Sequence, residues 1–380
     1  MKIIHVVRQY WPLVGGLEEF VARLAREQRL AGASVRVVTL DESFSRRGLK
    51  LAPMETHEGV EIVRIPFYGS TRYPIAPQVL GQLAGADLIH VHAVDFFFDF
   101  VALTRGLRQC PIVATTHGGF FHTAKHTLLK RIWFHTITRL TASAYRAVVA
   151  SSLSDFETFS AIAPRNARLI ENGVDIEKFK GAASPLPSRS LLTIGRFSLN
   201  KKLDLLLESF RQLVRDGEDW RLDIVGMESD WTREDLRREI AARGLEQRVT
   251  VHVGADNAAI ARLMSRASLF VSASDYEGFG IVLVEALSAG LLPVVHGNEA
   301  FRSFAARRGG VRICDYTDPM ASAEAIRAAF VDLAGAPHMR DDLIKISEGY
   351  AWPQVARTYL ELYRECVEAS SRGLQKPIPI

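Results

Sequence analysis

Short β-branched runs alternating with longer stretches of helical periodicity restrict this chain more than any other feature does. IIHVV (3–7), SVRVVTL (34–40), DLIHVH (87–92), PIVATTH (111–117) and AVVAS (147–151) are continuous rather than alternating, the pattern of parallel strands covered on both faces. Between the first two, Leu17, Val21, Leu24 and Ala25 recur at helical spacing, and Gly32 stands where such a helix would stop. A stretch with little periodicity, marked by Gly181, Pro185 and Pro187, reads as a linker over 176–190. The alternation then resumes with LLTIG (191–195), RLDIVG (221–226), VTVHVG (249–254), SLFVSAS (268–274), LLPVV (291–295) and VRIC (311–314). Helical patterns over 203–215, 233–243 and 281–289 fall between them. The chain is therefore expected to be α/β, with two Rossmann-like doubly wound domains over 1–180 and 190–350 and a closing helical segment over 351–380. Ligands of such sheets collect outside the carboxyl ends of the strands, so the loops after strands and a cleft between the domains are where chemistry is expected.

Composition narrows the class further. At 380 residues, 48% hydrophobic and 24% charged, each domain can bury a core without disulfides or structural metals. Cys110, Cys314 and Cys366 are odd in number, widely spaced and without a CxxC, which argues against a zinc site and for a reducing compartment. The opening MKIIHVVRQYW is interrupted at Arg8, too early for a secretory leader, and no run reaches the roughly 18 apolar residues of a spanning helix. A cytoplasmic protein is expected. Charge is uneven: residues 1–180 carry 22 Lys and Arg against 16 Asp and Glu, whereas residues 181–380 carry 25 against 27. The basic first half points to an anionic partner such as a phosphorylated lipid, a membrane surface or nucleic acid.

Several signatures are missing. Without GxGxxG after a strand, GxxxxGK[ST], GxSxG or HExxH, the sequence does not fit a dinucleotide oxidoreductase, a P-loop NTPase, an α/β hydrolase or a zincin. No Asp-x-Asp is present to hold a divalent cation under a nucleotide diphosphate, so no metal is expected and protein groups must neutralise any diphosphate. Arg196 directly follows the strand ending at Gly195, and Lys201 and Lys202 precede a helix, placing three cations on one loop. A guanidinium fork and ammonium groups suit two adjoining phosphates, although solvated lysines at a helix start are the plainer alternative.

The segment from Asp275 to Ala286 carries most information. Gly278-Phe279-Gly280-Ile281 passes from a strand into a helix, where glycines admit close backbone approach and free N–H groups face an anion. Glu277 and Glu285 are eight residues apart, about 12 Å of rise in a helix, too far to act on one atom but suited to two parts of an extended ligand. In the first domain Gly15 and Gly16 join the first strand to the first helix, either as an ordinary turn or as a close approach to a ligand. His117 ends a strand, where it can donate to or orient a reacting sugar, or simply be packed, and His90 and His92 share that ambiguity. Over 125–146, Lys125, Lys130 and Arg131 lie among Leu128, Leu129, Ile132, Trp133 and Phe134. Such a helix can rest on an anionic bilayer or pack with a solvated basic face, and Phe96-Phe97-Phe98 favour the bilayer.

The paired glycines near the start, the GR…K loop, ENGVD (171–175) and EGFGIVLVE together resemble the retaining GT-B glycosyltransferases of family 4 across essentially the whole chain. Within that family HVVRQ (5–9), RYPIAP (72–77), THGGFFHT (116–123) and ENGVD are similar to the bacterial α-mannosyltransferases of exopolysaccharide assembly. The resemblance implies transfer of mannose from GDP-mannose to cellobiose on polyprenyl diphosphate, forming an α-1,3 link, by an enzyme peripheral on the inner face of the cytoplasmic membrane. It also implies that the last helix crosses back to the first domain. By the same resemblance Arg196 and Lys201 bind the diphosphate, with Lys202 standing where a glycine usually follows that lysine, which leaves the choice between the two lysines open. Gly278, Phe279, Gly280 and Ile281 then hold the donor phosphate and sugar through their N–H groups, Glu277 the hexose, Glu285 the ribose, and Gly15 and Gly16 close over the diphosphate. His117 is expected to contact the transferred sugar. Alternatives are another donor such as a UDP-hexose or another acceptor, a sugar-nucleotide 2-epimerase of the same fold, and a non-catalytic lipid or nucleic-acid binder. No nucleic-acid module signature is present, which sets the last apart.

Overall fold

The computed structural model describes residues 1–46, 48–71, 73–118, 132–215 and 217–374, the side chains of 372–374 excepted. It divides into two compact units, one formed by Met1–Gly173 together with the segment from Trp352, the other by Val174–Ala351.

The first unit is built on an eight-stranded sheet in the order Ala167–Leu169, Ala147–Ala150, Ile112–Thr115, Leu88–His92, Lys2–Val6, Ser34–Leu40, Val60–Ile65, Met54–His57. All neighbours are parallel except the last pair. Alternate residues of one strand enter different cores, Ile4 and Val6 on one face and Ile3 and Val7 on the other. The second face is covered by the first helix, Gly16–Leu30, through Phe20, Val21, Leu24 and Ala25, and by the last, Trp352–Leu374, through Val355, Tyr359, Leu360 and Tyr363. The spacing of those residues gives each helix one apolar stripe, and burying each large side chain contributes roughly 1.5–3 kcal/mol. Polar residues also lie on this covered face: His5, His90 and Thr115 share the strand parity of Ile3, Leu88 and Val113.

The second unit holds six parallel strands in the order Val249–Val253, Arg221–Gly226, Ser190–Ile194, Leu269–Ser272, Leu292–His296, Arg312–Cys314. From Ser190–Ile194 the chain builds outward to one side and then returns to build on the other, so the strand order reverses between Ser190–Ile194 and Leu269–Ser272. Ligands of open α/β sheets bind beyond the carboxyl ends of strands at such a reversal. The loops that leave these two strands are 195–202 and 273–280. The corresponding reversal in the first unit lies between Lys2–Val6 and Leu88–His92.

Several readings from sequence change in detail. The strands Ile112–Thr115 and Leu269–Ser272 stop before His117 and Ser274, freeing those residues for loops. The edge strand Met54–His57, the Tyr68–Ser70 and Tyr73–Ile75 hairpin and the strand Ala167–Leu169 are short and polar or partly exposed and are not marked by the sequence, and neither is Val60–Ile65, six residues long and largely buried, whose run is broken by Glu61 and Arg64. The stretch read as a linker begins with a 3-10 turn at Ile176–Lys178, and Ile176 and Phe179 enter the core of the second unit, which starts at Val174 rather than at 190. Phe96, Phe97 and Phe98 are buried in the core of the first unit and cannot face a bilayer. In the described part of the basic helix, a π-turn at Phe134–Thr138 leads into Arg139–Ala142, and the helix ends there instead of at 146. Among the described residues no helix is long and apolar enough to cross a membrane.

Candidate active site

At the strand reversal of the second unit two loops are tied together by backbone and side chain. Asp275 N–H donates to the Asn200 carbonyl at 3.0 Å, and Asn200 Nδ2 donates to the Tyr276 carbonyl at 3.1 Å. Asn298 braces the second loop from behind: its Nδ2 donates to the Ser274 carbonyl at 2.9 Å while its Oδ1 caps the next helix. The first loop carries the cations. Lys201 folds back over Gly195, where an added Cβ would stand 3.1 Å from Lys201 Cε, and its Nζ meets Glu277 Oε1 at 2.6 Å. Arg196 is exposed, with no ion pair among the described residues. Lys202 takes the left-handed conformation, φ +49°, immediately before the helix Leu203–Leu213, and its Nζ lies 3.4 Å from Asp275.

The helix Ile281–Ala289 starts from Gly280, which is also left-handed at φ +89°. A Cβ at Gly280 would stand 2.9 Å from the ring of Phe301, so glycine is required by conformation and by space. Among the described residues the N–H groups of Gly278, Phe279, Gly280, Ile281 and Val282 donate to no protein acceptor. These are the orphan donors of a helix start, and they open beside the Lys201–Glu277 pair. Glu285, two turns into the helix, is held apart from Glu277 and pairs with Lys178 Nζ at 3.0 Å, whose ammonium also sits 4.6 Å over the Phe179 ring.

In the first unit Gly15 caps the helix Gly16–Leu30 in extended conformation, and a side chain on Gly15 would collide with the Glu18 carboxylate. Nothing lies within 4 Å of the space a Gly16 side chain would fill. His117 adopts the left-handed region at φ +56°, an unfavourable state for a non-glycine residue that its surroundings must enforce. The clamp is visible: Thr116 Oγ1 donates to Asp155, which also accepts from the Gly118 N–H. Burial raises the Asp155 carboxyl to about 6. His117 Nε2 is 3.0 Å from His92 Nδ1, and burial lowers the His117 imidazole to about 3, so it is neutral at physiological pH. Nearby, Arg8 pairs with buried Asp95 at 3.0 Å, and burial raises that carboxyl to about 6 against the pull of Arg8.

Trp133 is 40% and Leu140 63% exposed on the described part of the basic helix; Lys125, Lys130 and Arg131 lie outside the described residues. Leu103 and Leu107, on and just after the contacting helix Phe96–Leu103, are exposed as well.

Known proteins share this arrangement of sequence. A family model described as glycosyltransferase family 4 matches residues 14–178, and one described as glycosyl transferases group 1 matches residues 175–347. A relative from Xanthomonas campestris, "GDP-mannose:cellobiosyl-diphosphopolyprenol alpha-mannosyltransferase", is 41% identical over 366 residues, covering 96% of this chain and 96% of its own. The protein of the same description from Komagataeibacter xylinus is 39% identical over 370 residues, covering 96% and 93%. The chain belongs to the family 4 glycosyltransferases. Solved structures agree on the fold: a glycosyltransferase from Rickettsia africae has a TM-score of 0.71 at 17% identity over 96% of this chain and 98% of that one. Sucrose-phosphate synthase from Thermosynechococcus elongatus scores 0.69 at 19% identity over 97% and 99%. The family 4 glycosyltransferase is thus of GT-B fold, with two Rossmann-like domains.

In this family 4 glycosyltransferase the structure gathers Lys201, Glu277 and the Gly278–Ile281 backbone into one constellation, with Arg196 on the same loop. Glu285 stands off with Lys178, and Gly15, Gly16 and His117 belong to the other unit. Sequence reasoning missed Lys178, Asn200 and Asn298. Lys178 had a signal in its place just after ENGVD, but Asn200 and Asn298 act through backbone carbonyls that no side-chain pattern advertises.

Proposed function

We propose that the enzyme transfers mannose from GDP-mannose to cellobiose carried on polyprenyl diphosphate, in an α-1,3 link formed with retention, during assembly of exopolysaccharide repeat units. The carrying observation is the 39–41% identity over nearly the full length of three enzymes with that donor and acceptor in their names. The site chemistry supports it. As the bond between the sugar and the diphosphate breaks, its electron pair passes to a phosphate oxygen, and negative charge grows on the leaving nucleotide. Lys201, Arg196 and the free N–H groups at the start of Ile281–Ala289 stabilise that charge more than they stabilise the bound donor. Glu277 holds Lys201 in place and accepts from hexose hydroxyls, Glu285 accepts from the ribose, and Gly15 and Gly16 approach the diphosphate. His117 contacts the transferred hexose. The acceptor hydroxyl attacks the same face of the sugar from which the diphosphate leaves, and its proton passes to the leaving phosphate oxygen.

Backbone state and pairing favour Lys201 over Lys202 as the phosphate-binding lysine. Lys202 occupies a left-handed position that suits the glycine the family resemblance implies there, and its ammonium turns to Asp275, whereas Lys201 stands beside Glu277 at the helix start. The basic first half suits the diphosphate lipid, and exposed Trp133, Leu140, Leu103 and Leu107 suit shallow contact with the inner membrane face.

The test is transfer by purified protein from GDP-mannose to lipid-linked cellobiose, with linkage analysis of the product. Arg196→Ala is expected to lower turnover roughly 10²- to 10³-fold with an unchanged unfolding midpoint. Preference for a UDP-hexose removes the donor assignment, and appearance of an epimer when donor is incubated alone converts the enzyme to an epimerase.

A further inference from the structure

The first unit holds four histidines in contact with one another, His5, His90 and His92 fully buried and His117 partly so. His5 Nδ1 lies 2.8 Å from His92 Nε2, and His92 Nδ1 lies 3.0 Å from His117 Nε2. At the far end His5 Nε2 is 2.8 Å from Gln28 Oε1, a fully buried amide on the first helix. His90 stands alongside, its Nε2 2.8 Å from Thr115 Oγ1 and its Nδ1 2.6 Å from the Tyr363 hydroxyl. Tyr363 in turn lies 3.3 Å from Gln28 Nε2. His5, His90 and His92 bring ligand atoms within 4.8 Å of one another, close enough to suggest a metal. Yet all six of their ring nitrogens already have hydrogen-bond partners. The 2.8 Å separation of His5 Nδ1 and His92 Nε2 is also shorter than the roughly 3.3 Å between two imidazole nitrogens on one tetrahedral zinc. The cluster is a hydrogen-bond chain.

That chain has one direction. Burial lowers His5 to about 4 and holds His90 and His92 well below the usual histidine range, so at neutral pH each ring has one donating and one accepting nitrogen. Gln28 Nε2 donates to the Tyr363 hydroxyl at 3.3 Å, which leaves the phenol proton for His90 Nδ1, 2.6 Å away. Tyr363 therefore donates to His90 and accepts from Gln28 Nε2, which turns the Gln28 oxygen toward His5. His5 must then donate from Nε2 and accept at Nδ1 from His92 Nε2–H, and His92 must accept at Nδ1 from His117 Nε2–H. His117 is left with a bare Nδ1, which has no partner among the described residues, and it alone of the four histidines is not fully buried as a residue.

We propose that Gln28, His5 and His92 are positioning residues that fix the tautomer of His117, so that His117 presents Nδ1 as a hydrogen-bond acceptor to a hydroxyl of the transferred hexose. The inference rests on the reading of His117 as a residue that contacts the sugar, and it sharpens that reading. A neutral Nδ1 acceptor welcomes a sugar hydroxyl, is mismatched to a hexuronate carboxylate, and cannot donate to the leaving diphosphate.

The experiment is ¹⁵N NMR of histidine-labelled full-length protein without substrate, with His117 assigned through His117→Gln. The bare and protonated ring nitrogens are well separated in shift. Wild type is expected to show His117 protonated at Nε2 and bare at Nδ1. Gln28→Met removes the terminal acceptor, and Tyr363→Phe removes the hydroxyl that orients the amide. Each is expected to give a tautomer mixture at His117 and a roughly two- to ten-fold lower kcat, following the competent fraction. Gln28→Glu, which keeps the acceptor, is expected to restore a single Nε2–H form. A His117 protonated at Nδ1 in wild type, or an unchanged spectrum in both folded variants, overturns the relay. Loss of kcat without a tautomer change also overturns it, marking a structural role. The spectrum needs no donor, so failure of mannose transfer with the expected tautomer pattern rejects the function and leaves the relay standing.

Discussion

Lys201 and Lys202 are alike in chemistry and differ in backbone. Lys201 is pulled over Gly195 by Glu277, while Lys202 pays for a left-handed φ of +49° and gains only a partly exposed pair with Asp275. A left-handed non-glycine residue costs roughly 1–2 kcal/mol, and an exposed ion pair returns less than about 1 kcal/mol. Lys202→Gly is therefore expected to leave turnover within about two-fold and to raise the stability of the second unit by about 0.5–1 kcal/mol in urea unfolding. Lys201→Ala is expected to lower kcat about 10²- to 10³-fold, and equal losses in the two variants would contradict the assignment. On the proposal that Lys201 and Arg196 neutralise the diphosphate, turnover is expected to be unchanged after dialysis against a chelator; loss restored by a divalent ion would show that these residues are insufficient.

Elements here are joined through glycines chosen for different reasons. Gly280 meets both a positive φ and the Phe301 ring, whereas Gly173, the glycine of ENGVD, has an ordinary φ but lies under Trp352, whose ring atoms begin 2.5 Å from where a Cβ would be. Gly280→Ala should tilt the start of Ile281–Ala289 and misdirect its N–H groups, lowering kcat by about ten-fold or more and stability by about 1–3 kcal/mol. Gly173→Ala should instead unseat the beginning of the last helix, costing stability in the first unit, read by amide exchange along Trp352–Leu374. The apolar face near the basic helix invites a third test: Leu140→Glu is expected to cut co-sedimentation with anionic vesicles several-fold while leaving the circular dichroism spectrum unchanged. Unaltered sedimentation would remove this face from membrane contact.

At the scale of the molecule, burial of the histidine cluster makes the first unit acid-sensitive. His5 titrates at about 4 in the folded protein against about 6.5 unfolded, so between those values only the unfolded chain binds the proton and acid favours unfolding. By pH 5 this one residue removes about 2 kcal/mol of stability present at pH 7 and above. His90, His92 and His117 act in the same direction. Asp95 and Asp155, raised to about 6, and Asp99, also raised by burial, oppose them, because the folded state holds their protons first as pH falls. With four groups against three, and the carboxyls shifted less far than the histidines, the unfolding midpoint of the first unit should drop from pH 7.5 to pH 5 by calorimetry; a level or rising midpoint would contradict this balance.

Local sequence determined the strands and helices that carry the fold, because continuous β-branched runs and three-to-four-residue apolar spacing each satisfy only one kind of backbone. It also marked Glu277, Glu285, Arg196 and the glycine-led helix start, since charge and conformational freedom at a strand's end are written in residue type. Short polar edge strands escaped it, having too few side chains to set a period. Tertiary structure alone decided that Lys201 meets Glu277 across 76 positions, that Lys178 meets Glu285 across 107, and that Tyr363 reaches His90 across 273. Such pairings depend on which strand lies beside which and on the sense of a hydrogen-bond chain, and neither is a property of neighbours in sequence.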